Sequence, residues 1–562
     1  MNSPLGSTKL FKQAIACPME GCSMKEAPPW GTLPRLLRSR ASEHPDVVIV
    51  VDEEVQLTLS ELRDMASATA RRLIARNIGH GDRVAIYAPN CWQWVVAAFG
   101  VWDCGGIVVP INTRARGIEA VEILRNTNCR ALISIDEFLG RSYVQDISSI
   151  AGGPADGKPF AELPELETVV LVNGGSDRTG ILGWDDFFDS AAQVDLDRAE
   201  ERALDVQPDD AFEILMTSGT TGQPKGVVLN GSQILRAYWD WAEVCGLGPG
   251  DRLPVVSPFA HGFGINAGLV VCVARLATMI PVAVFDPDEA LQLVERLKIT
   301  TLAGPPNLFG KILTNPELRN TDISTLRWAV IGAASVPDEL VHAMYERLGF
   351  ERVTNAYGLI EGSVVTMTRP GDPVRTVATS AGRVMPGMEI RLADDGSPRD
   401  TDSQGELQIR GYGVMQGYWN SPALTSAAFT ADGWLRTGDI GSIDIAGNLR
   451  IVGRQKEMMI VGGFNAYPAE IENLLLHNRQ LAQAAVIGVS DNVLGEVPWA
   501  FVTPVEGAGP EEAEIIAWSR QNMSNYKVPR RVFVLDALPV TPNGKIAKTE
   551  LAEYARPFLT AD

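Results

Sequence analysis

The residues with the densest chemical potential in this chain are the ten from Thr217 to Gly226, which read Thr-Ser-Gly-Thr-Thr-Gly-Gln-Pro-Lys-Gly. Thr217, Ser218, Thr220 and Thr221 supply hydroxyls, and Lys225 supplies an ammonium group. Gly219 and Gly222 allow the backbone to turn, so that amide N–H groups can face a bound anion. The run Phe212 to Met216, just before this segment, reads as a strand. Strand, hydroxyl-rich turn and lysine together describe a phosphate cradle. The spacing Gly-x-x-x-x-Gly-Lys-Ser/Thr is absent, so this is not a Walker A loop. The bland alternative is a flexible Gly/Ser/Thr connection, which the combined hydroxyls and lysine make less economical.

This segment closely resembles the phosphate loop of the adenylate-forming superfamily. That superfamily holds acyl-CoA synthetases, peptide-synthetase adenylation domains and firefly luciferases. The resemblance runs in order from about Ala27 to Pro557. Asn355-Ala356-Tyr357-Gly358-Leu359-Ile360-Glu361 resembles the signature Tyr-Gly-x-Thr-Glu. By that resemblance Tyr357 stacks on adenine, Asn355, Ala356 and Gly358 line the nucleotide, and Glu361 helps hold Mg²⁺ together with Thr217. An aromatic face suits a purine and a carboxylate suits a hard cation. Where the family has Thr, this chain has Ile360, so a hydroxyl expected near the α-phosphate is missing.

Further motifs follow the same order. Gly332-Ala333-Ala334 resembles the small-residue segment against which adenine and acyl group lie. Trp434 to Asp439 resembles the ribose motif, with Asp439 at the carboxylate position and Arg454 as its second contact. Lys456 falls at the family's hinge. Gly462, Gly463 and Phe464 match the loop beside the pantetheine tunnel for coenzyme A, although Val461 stands where the family often has a basic residue. Pro542-Asn543-Gly544-Lys545 resembles the catalytic-lysine turn. A bridging ammonium there would offset the repulsion between the substrate carboxylate and the ATP α-phosphate. Ser257 to Gly264 resembles the acyl-pocket segment, with His261 as a gate and Phe263, Gly264 and Gly268 lining the pocket. A core histidine with satisfied hydrogen bonds is the plainer reading of His261.

The resemblance implies an ATP-dependent ligase using Mg²⁺ and coenzyme A. A carboxylic acid is activated as acyl-AMP, and the acyl group passes to CoA. No Asp stands near Phe259-Ala260-His261-Gly262 to pair with an amino acid's amine. The chain ends Thr-Ala-Asp, without the Ser-Lys-Leu tail frequent in luciferases. The acid-binding stretches most resemble bacterial acyl-CoA ligases of lipid and steroid breakdown. A bulky apolar acid, such as a steroid-derived or alicyclic propanoate, is the expected substrate. Medium- or long-chain fatty acids and aryl acids are the alternative, and a non-catalytic nucleotide sensor is the rival from another class.

The elements that must position these residues are legible as an alternation. Val47–Val51, Val84–Ala88, Ile107–Val109, Thr300–Ala303 and Trp328–Ile331 read as strands. Trp92–Val101, Asp288–Leu297 and Pro337–Leu348 read as helices, and Thr58 with Glu61 has capping-box spacing. Gly262 to Phe285 is the most apolar stretch. Arg275 and Pro281 interrupt it, so a buried strand and helix is expected there and not a membrane span. The fold class is therefore α/β: a large multi-sheet N-terminal domain and a small mobile C-terminal α+β domain. The expected division is a flexible arm over 1–28, an adenylation domain over 29–455, and a mobile domain over 456–562.

The 562 residues exceed one ordinary core, which fits two domains. The formal net charge of −20 repels phosphate backbones and anionic lipids, so nucleic-acid binding is not expected. Any anionic ligand must be captured by local cations. Seven scattered cysteines without a CxxC pair suit a reducing cytoplasm. The first residues lack a basic run followed by a long apolar core, so no signal peptide is expected. The expected partners are a small carboxylic acid, ATP and CoA. A homodimer is carried as an open expectation.

Overall fold

The computed structural model describes residues 15–16, 28–155, 157–173, 180–189, 194–217, 225–332, 336–394, 397–398, 403–461, 464–491, 494–523, 525–541 and 545–559. An eight-stranded sheet carries the two strands that flank the expected phosphate loop. Its centre is Cys129–Ser134, Arg83–Tyr87, Ile107–Pro110 and Ala211–Thr217, paired in parallel. Helices cover these strands, so Ile107–Pro110 is buried at every residue and reads as a continuous apolar run. Ala211–Thr217 then turns back antiparallel onto Lys225–Asn230, which pairs with Gly417–Tyr418.

A five-stranded sheet carries residues expected at the nucleoside. Thr301–Gly304, Trp328–Gly332 and Arg352–Leu359 run parallel, and Ser363–Met367 and Arg383–Val384 complete it antiparallel. Register sets Gly332 opposite Ala356 at the carboxyl ends of the parallel strands, where α/β sheets form their crevices. A third, antiparallel sheet holds Met388–Asp394, Gly405–Gly411, Leu435–Ile443 and Leu449–Arg454. Ile15–Ala16, inside the expected loose arm, pairs with Ile390 and Glu389 as an edge of this sheet.

Beyond the 3₁₀ turn Gln455–Glu457 lies a separate layer. Leu481–Asp491 and Gly495–Pro504 form its long hairpin, and Met459–Val461, Phe464–Ala466 and Arg531–Val534 flank it. Met459, Ile471, Val486, Ala500 and Ile515 form an apolar cluster of its own. Tyr467 packs against Ile440 and Val452 of the preceding sheet.

The expected strands and helices appear within a few residues of their limits, and Thr58 and Glu61 form the full capping box. The stretch after Gly262 differs. Phe263–Val270 is a π-helix that runs into the α-helix Val271–Arg275, and only then comes the strand Thr278–Pro281. Periodicity templates of two and 3.6 residues do not contain this wider winding, and π segments concentrate at functional sites. Among the described residues no helix is long and apolar enough to cross a membrane.

Candidate active site

The phosphate loop closes a β-hairpin. Thr217 stands opposite Lys225 in the ladder, and the Thr217 hydroxyl points to the Lys225 carbonyl at 3.5 Å. Ser218, Gly219, Thr220, Thr221 and Gly222 lie outside the described residues. Lys225 carries its ammonium 5.1 Å from the centre of the Tyr418 ring, a cation–π distance. Tyr418 donates its phenolic hydrogen to Glu361 Oε1 at 3.1 Å. Burial, and then the Glu361 charge, push the Tyr418 hydroxyl pKa above its ordinary value, so it stays a donor. One tyrosine thus links the expected phosphate lysine to the expected metal carboxylate. Sequence reasoning passed over it, because Gly-Tyr-Trp-Asn carries no spacing signal of its own.

Glu361 sits on the 3₁₀ turn Ile360–Gly362, just past the strand that carries Tyr357. It is half-buried, and no group of three or more metal-ligating side chains occurs among the described residues. A single half-buried carboxylate fits Mg²⁺ that arrives with a nucleotide, since that ion keeps its waters and uses one or two carboxylates plus substrate phosphates. Ile360 packs against the main core. The neighbouring Ser363 does not replace the missing threonine hydroxyl. It is buried, adopts φ +53°, and donates to the Gly413 carbonyl at 3.1 Å.

The expected nucleoside residues meet. Tyr357 donates to Asp439 Oδ2 at 2.5 Å, and Arg454 Nε stands 3.1 Å from Asp439 Oδ1. Asp439 and Arg454 are direct partners across the ladder. Gly438 before it adopts φ +71°, a conformation that glycine permits, and Thr437 Oγ1 accepts from the Asp439 amide at 3.1 Å. Burial raises the Asp439 pKa, and the Arg454 charge opposes this.

Asn355 serves the scaffold. Both donors of its side-chain amide go to carbonyls, Val377 at 3.1 Å and Ser380 at 3.0 Å, so its expected nucleotide contact cannot use them. Gly332 is required by packing, since a β-carbon there would lie 2.5 Å from the Ala356 carbonyl oxygen. A β-carbon on Gly358 would lie 2.2 Å from the Ser363 carbonyl oxygen. Ala333 and Ala334 lie outside the described residues.

Lys545 is exposed at its chain position, yet protein surrounds it closely enough to lower its pKa. Burial contributes most, Arg454 adds to it, and Asp439 and Glu457 oppose it. The Lys545 charge is also felt at His261 and at Asp439. The lysine of the last layer therefore lies near Asp439 of the third sheet and near His261. His261 is pushed down to about 4, by burial first and Lys545 second, so the ring is neutral near pH 7. Its Nδ1 accepts from the Phe263 amide at 3.2 Å, which places the neutral ring's proton on Nε2.

Phe263 is half-buried, with its ring edge against Trp241 at 6.2 Å. Gly264 and Gly268 are explained by packing and not by a need for pocket space. A β-carbon on Gly264 would stand 2.1 Å from the Pro258 carbonyl oxygen, and one on Gly268 2.5 Å from Val255 Cγ1. Gly462 and Gly463 lie outside the described residues, and Phe464 is described by its backbone alone, in the strand Phe464–Ala466. Lys456 lies within the 3₁₀ turn. On one side of it Arg454 is paired with Asp439. On the other, Glu457 is paired with Lys548 at 2.9 Å, and Lys548 also holds Glu472 at 2.9 Å.

The Tyr357–Asp439–Arg454 contacts, the hairpin from Thr217 to Lys225 and a lysine of a separate layer near Asp439 agree with the comparisons. The AMP-binding enzyme family matches residues 37–419, and the AMP-binding enzyme C-terminal domain matches residues 470–545. The chain belongs to the AMP-binding enzymes. A Mycobacterium tuberculosis member named 3-[(3aS,4S,7aS)-7a-methyl-1,5-dioxo-octahydro-1H-inden-4-yl]propanoyl:CoA ligase is 42% identical, over 93% of this chain and 98% of its own. A Rhodococcus jostii member of the same name is 39% identical over 93% and 98%. Among solved AMP-binding enzymes, the anthranilate CoA ligase AuaEII in complex with anthranoyl-AMP superposes with a TM-score of 0.83. It is 25% identical and covers 94% of this chain and 98% of its own. ATP-bound MatB from Rhodopseudomonas palustris gives 0.79 at 26% identity, covering 94% and 100%. This AMP-binding enzyme is an AMP-forming acyl-CoA ligase, and its family uses ATP, Mg²⁺ and CoA.

Proposed function

We propose that this ligase activates a bulky, fused-ring alicyclic propanoate of the kind that steroid breakdown yields. The acid becomes acyl-AMP with release of pyrophosphate, and the acyl group then passes to CoA with release of AMP. The observation that carries the reading is the place of Lys545, whose charge reaches both Asp439 and His261. A carboxylate entering beside His261 and an α-phosphate on a nucleotide held at Asp439 would both face that ammonium. Its positive charge would lower the repulsion between the two anions and stabilise the pentavalent transition state. The two relatives named for a dioxo-hydrindane propanoate support the acid class.

In this reading Tyr357 lies against adenine, Asp439 and Arg454 hold the ribose, and the Thr217–Lys225 hairpin receives the phosphates. Glu361, with Thr217, would hold Mg²⁺, which supplies charge neutralisation of the phosphates. The proposed boundary between residues 29–455 and 456–562 falls in the turn holding Lys456. Rotation there would withdraw Lys545 and bring Gly462, Gly463 and Phe464 to the CoA approach. The site as proposed is complete within one chain, so the homodimer is not needed for either half-reaction. We place the enzyme in the cytoplasm, where its thiols stay reduced. Five described cysteines are unpaired, and four of them are buried.

The test is pyrophosphate release, then thioester formation, across fused-ring propanoates, medium- and long-chain fatty acids and aryl acids. A preference for the ring acids is expected. A preference for straight chains, or no turnover with any acid, overturns the assignment.

A further inference from the structure

Beneath the π-helix is a polar cluster that the adenylation chemistry does not use. Glu213 lies on the strand Ala211–Thr217, four residues before the phosphate hairpin, and is completely buried. Asn266, on the π-helix, is 1% exposed. Asn266 Nδ2 donates to Glu213 Oε1 at 2.7 Å. Glu213 Oε2 and Asn266 Oδ1 have no hydrogen-bond partner among the described residues. Trp241 Nε1 is likewise buried without a partner, and the Trp241 ring lies against Phe263 of the same π-helix. Burial pushes the Glu213 pKa up to about 8, so its carboxyl is protonated near pH 7 and donates. A buried polar group left without a partner is costly, and native cores rarely tolerate several together.

Position gives these groups a direction. Asn266 sits one turn below Gly262, where a β-carbon would stand 4.0 Å from Asn266 Nδ2 and 3.2 Å from Leu215 Cδ1. Directly above Gly262 is His261, the residue that feels Lys545. Asn266 follows His261 and Gly262 along the same winding segment, so the Glu213–Asn266 pair lies about one helical turn from the reacting end of the site. We infer that Glu213 and Asn266 form a polar floor to the acyl pocket that hydrogen-bonds an oxygen substituent on the ring of the acid. A ring carbonyl accepts from the Glu213 hydroxyl. A ring alcohol accepts there and donates to Asn266 Oδ1. The inference rests on the fused-ring reading of the substrate and adds to it which end of the ring is read, and by what.

The experiment compares three acids on one carbon skeleton: a ring-ketone propanoate, its ring alcohol, and the fully deoxygenated analogue. The wild-type enzyme is expected to favour the oxygenated acids by about tenfold or more in kcat/KM, because a site built to hydrogen-bond a substrate rejects the analogue lacking that group. In the double variant Glu213→Leu/Asn266→Leu, both partners become apolar together and neither is left unpaired. That variant is expected to lose the preference through a raised KM for the oxygenated acids, while the deoxygenated acid is used at the wild-type rate or better. Glu213→Gln keeps a donor and is expected to retain the preference. Equal use of oxygenated and deoxygenated acids by the wild type overturns the inference, whatever the variants do. An unchanged preference in the double variant, or an equal loss on all three acids, overturns it as well and leaves the pair a structural one. If the wild type turns over no ring acid but does turn over fatty acids, it is the substrate class that has failed.

Discussion

Tyr357 and Asp439 are joined by a 2.5 Å hydrogen bond, with the phenol as donor and a buried carboxylate as acceptor. Arg454 pairs with the other carboxylate oxygen at 3.1 Å. The side chain expected against adenine and the one expected on ribose are therefore fixed to each other before any nucleotide arrives. Tyr357→Phe keeps the ring and removes the tether. A hydrogen bond to a charged group contributes about 1.5–3 kcal/mol, so ATP binding should weaken by roughly tenfold or more. The KM for the acid should hardly move. Calorimetric ATP titration checks this, and unchanged affinity would show that the tether is idle.

Lys545→Ala should abolish adenylation far more than thioester formation from supplied acyl-adenylate. Only the first step brings two anions together, and the Lys545 charge is felt at both His261 and Asp439. Equal loss in the two half-reactions would remove the lysine from its role.

Lys456→Pro should spare adenylation and cripple CoA transfer, since proline fixes φ near −65° and the turn could no longer adopt the second orientation. Arg454 is paired with Asp439 on one side of Lys456 and Glu457 with Lys548 on the other, so a rotation at Lys456 would leave each pair intact. Thioester formation at the wild-type rate in the variant places the hinge elsewhere.

Ile360→Thr restores the family's hydroxyl. Ser363 cannot supply it, because its own hydroxyl is engaged with Gly413. Pyrophosphate exchange with the best acid should rise several-fold, toward the ten- to hundredfold that about 1.5–3 kcal/mol represents. A fall in rate would mean that Ile360 acts by packing.

Glu213 ties stability to pH. Its folded pKa is raised to about 8 from an ordinary 4.5. Below about 4.5 both folded and unfolded chains hold the proton, and the contribution is fully present. Between about 4.5 and 8 the unfolded chain releases it while the folded chain does not, so stability falls as pH rises. Glu213→Gln removes this slope. Denaturant unfolding at pH 5 and pH 8 should show the wild type losing on the order of a few kcal/mol relative to the variant. Parallel curves would show that the carboxyl is ionised in the folded protein.

By itself the sequence determined the chemistry at the level of motifs. Hydroxyl density around Gly219 and Gly222 marked an expected phosphate loop, and the order of Tyr357, Glu361, Asp439, Arg454 and Lys545 marked an adenylate-forming ligase, the family that the comparisons show. These signals are local, since each depends on residue type and short spacing. The parallel strands were legible for the same reason: burial on both faces forces continuous apolar runs such as Ile107–Pro110. Only the tertiary structure decided which distant side chains share a hydrogen bond. Tyr418 meets Glu361 across 57 residues, and Asn266 meets Glu213 across 53. Neither pair leaves a periodic trace, because contacts between elements far apart in the chain depend on how those elements pack and not on how residues are spaced. The π-helix from Phe263 also waited for the structure. Within it, a β-carbon on Gly264 or Gly268 would collide with Pro258 or Val255, a fit that exists only once the chain is packed.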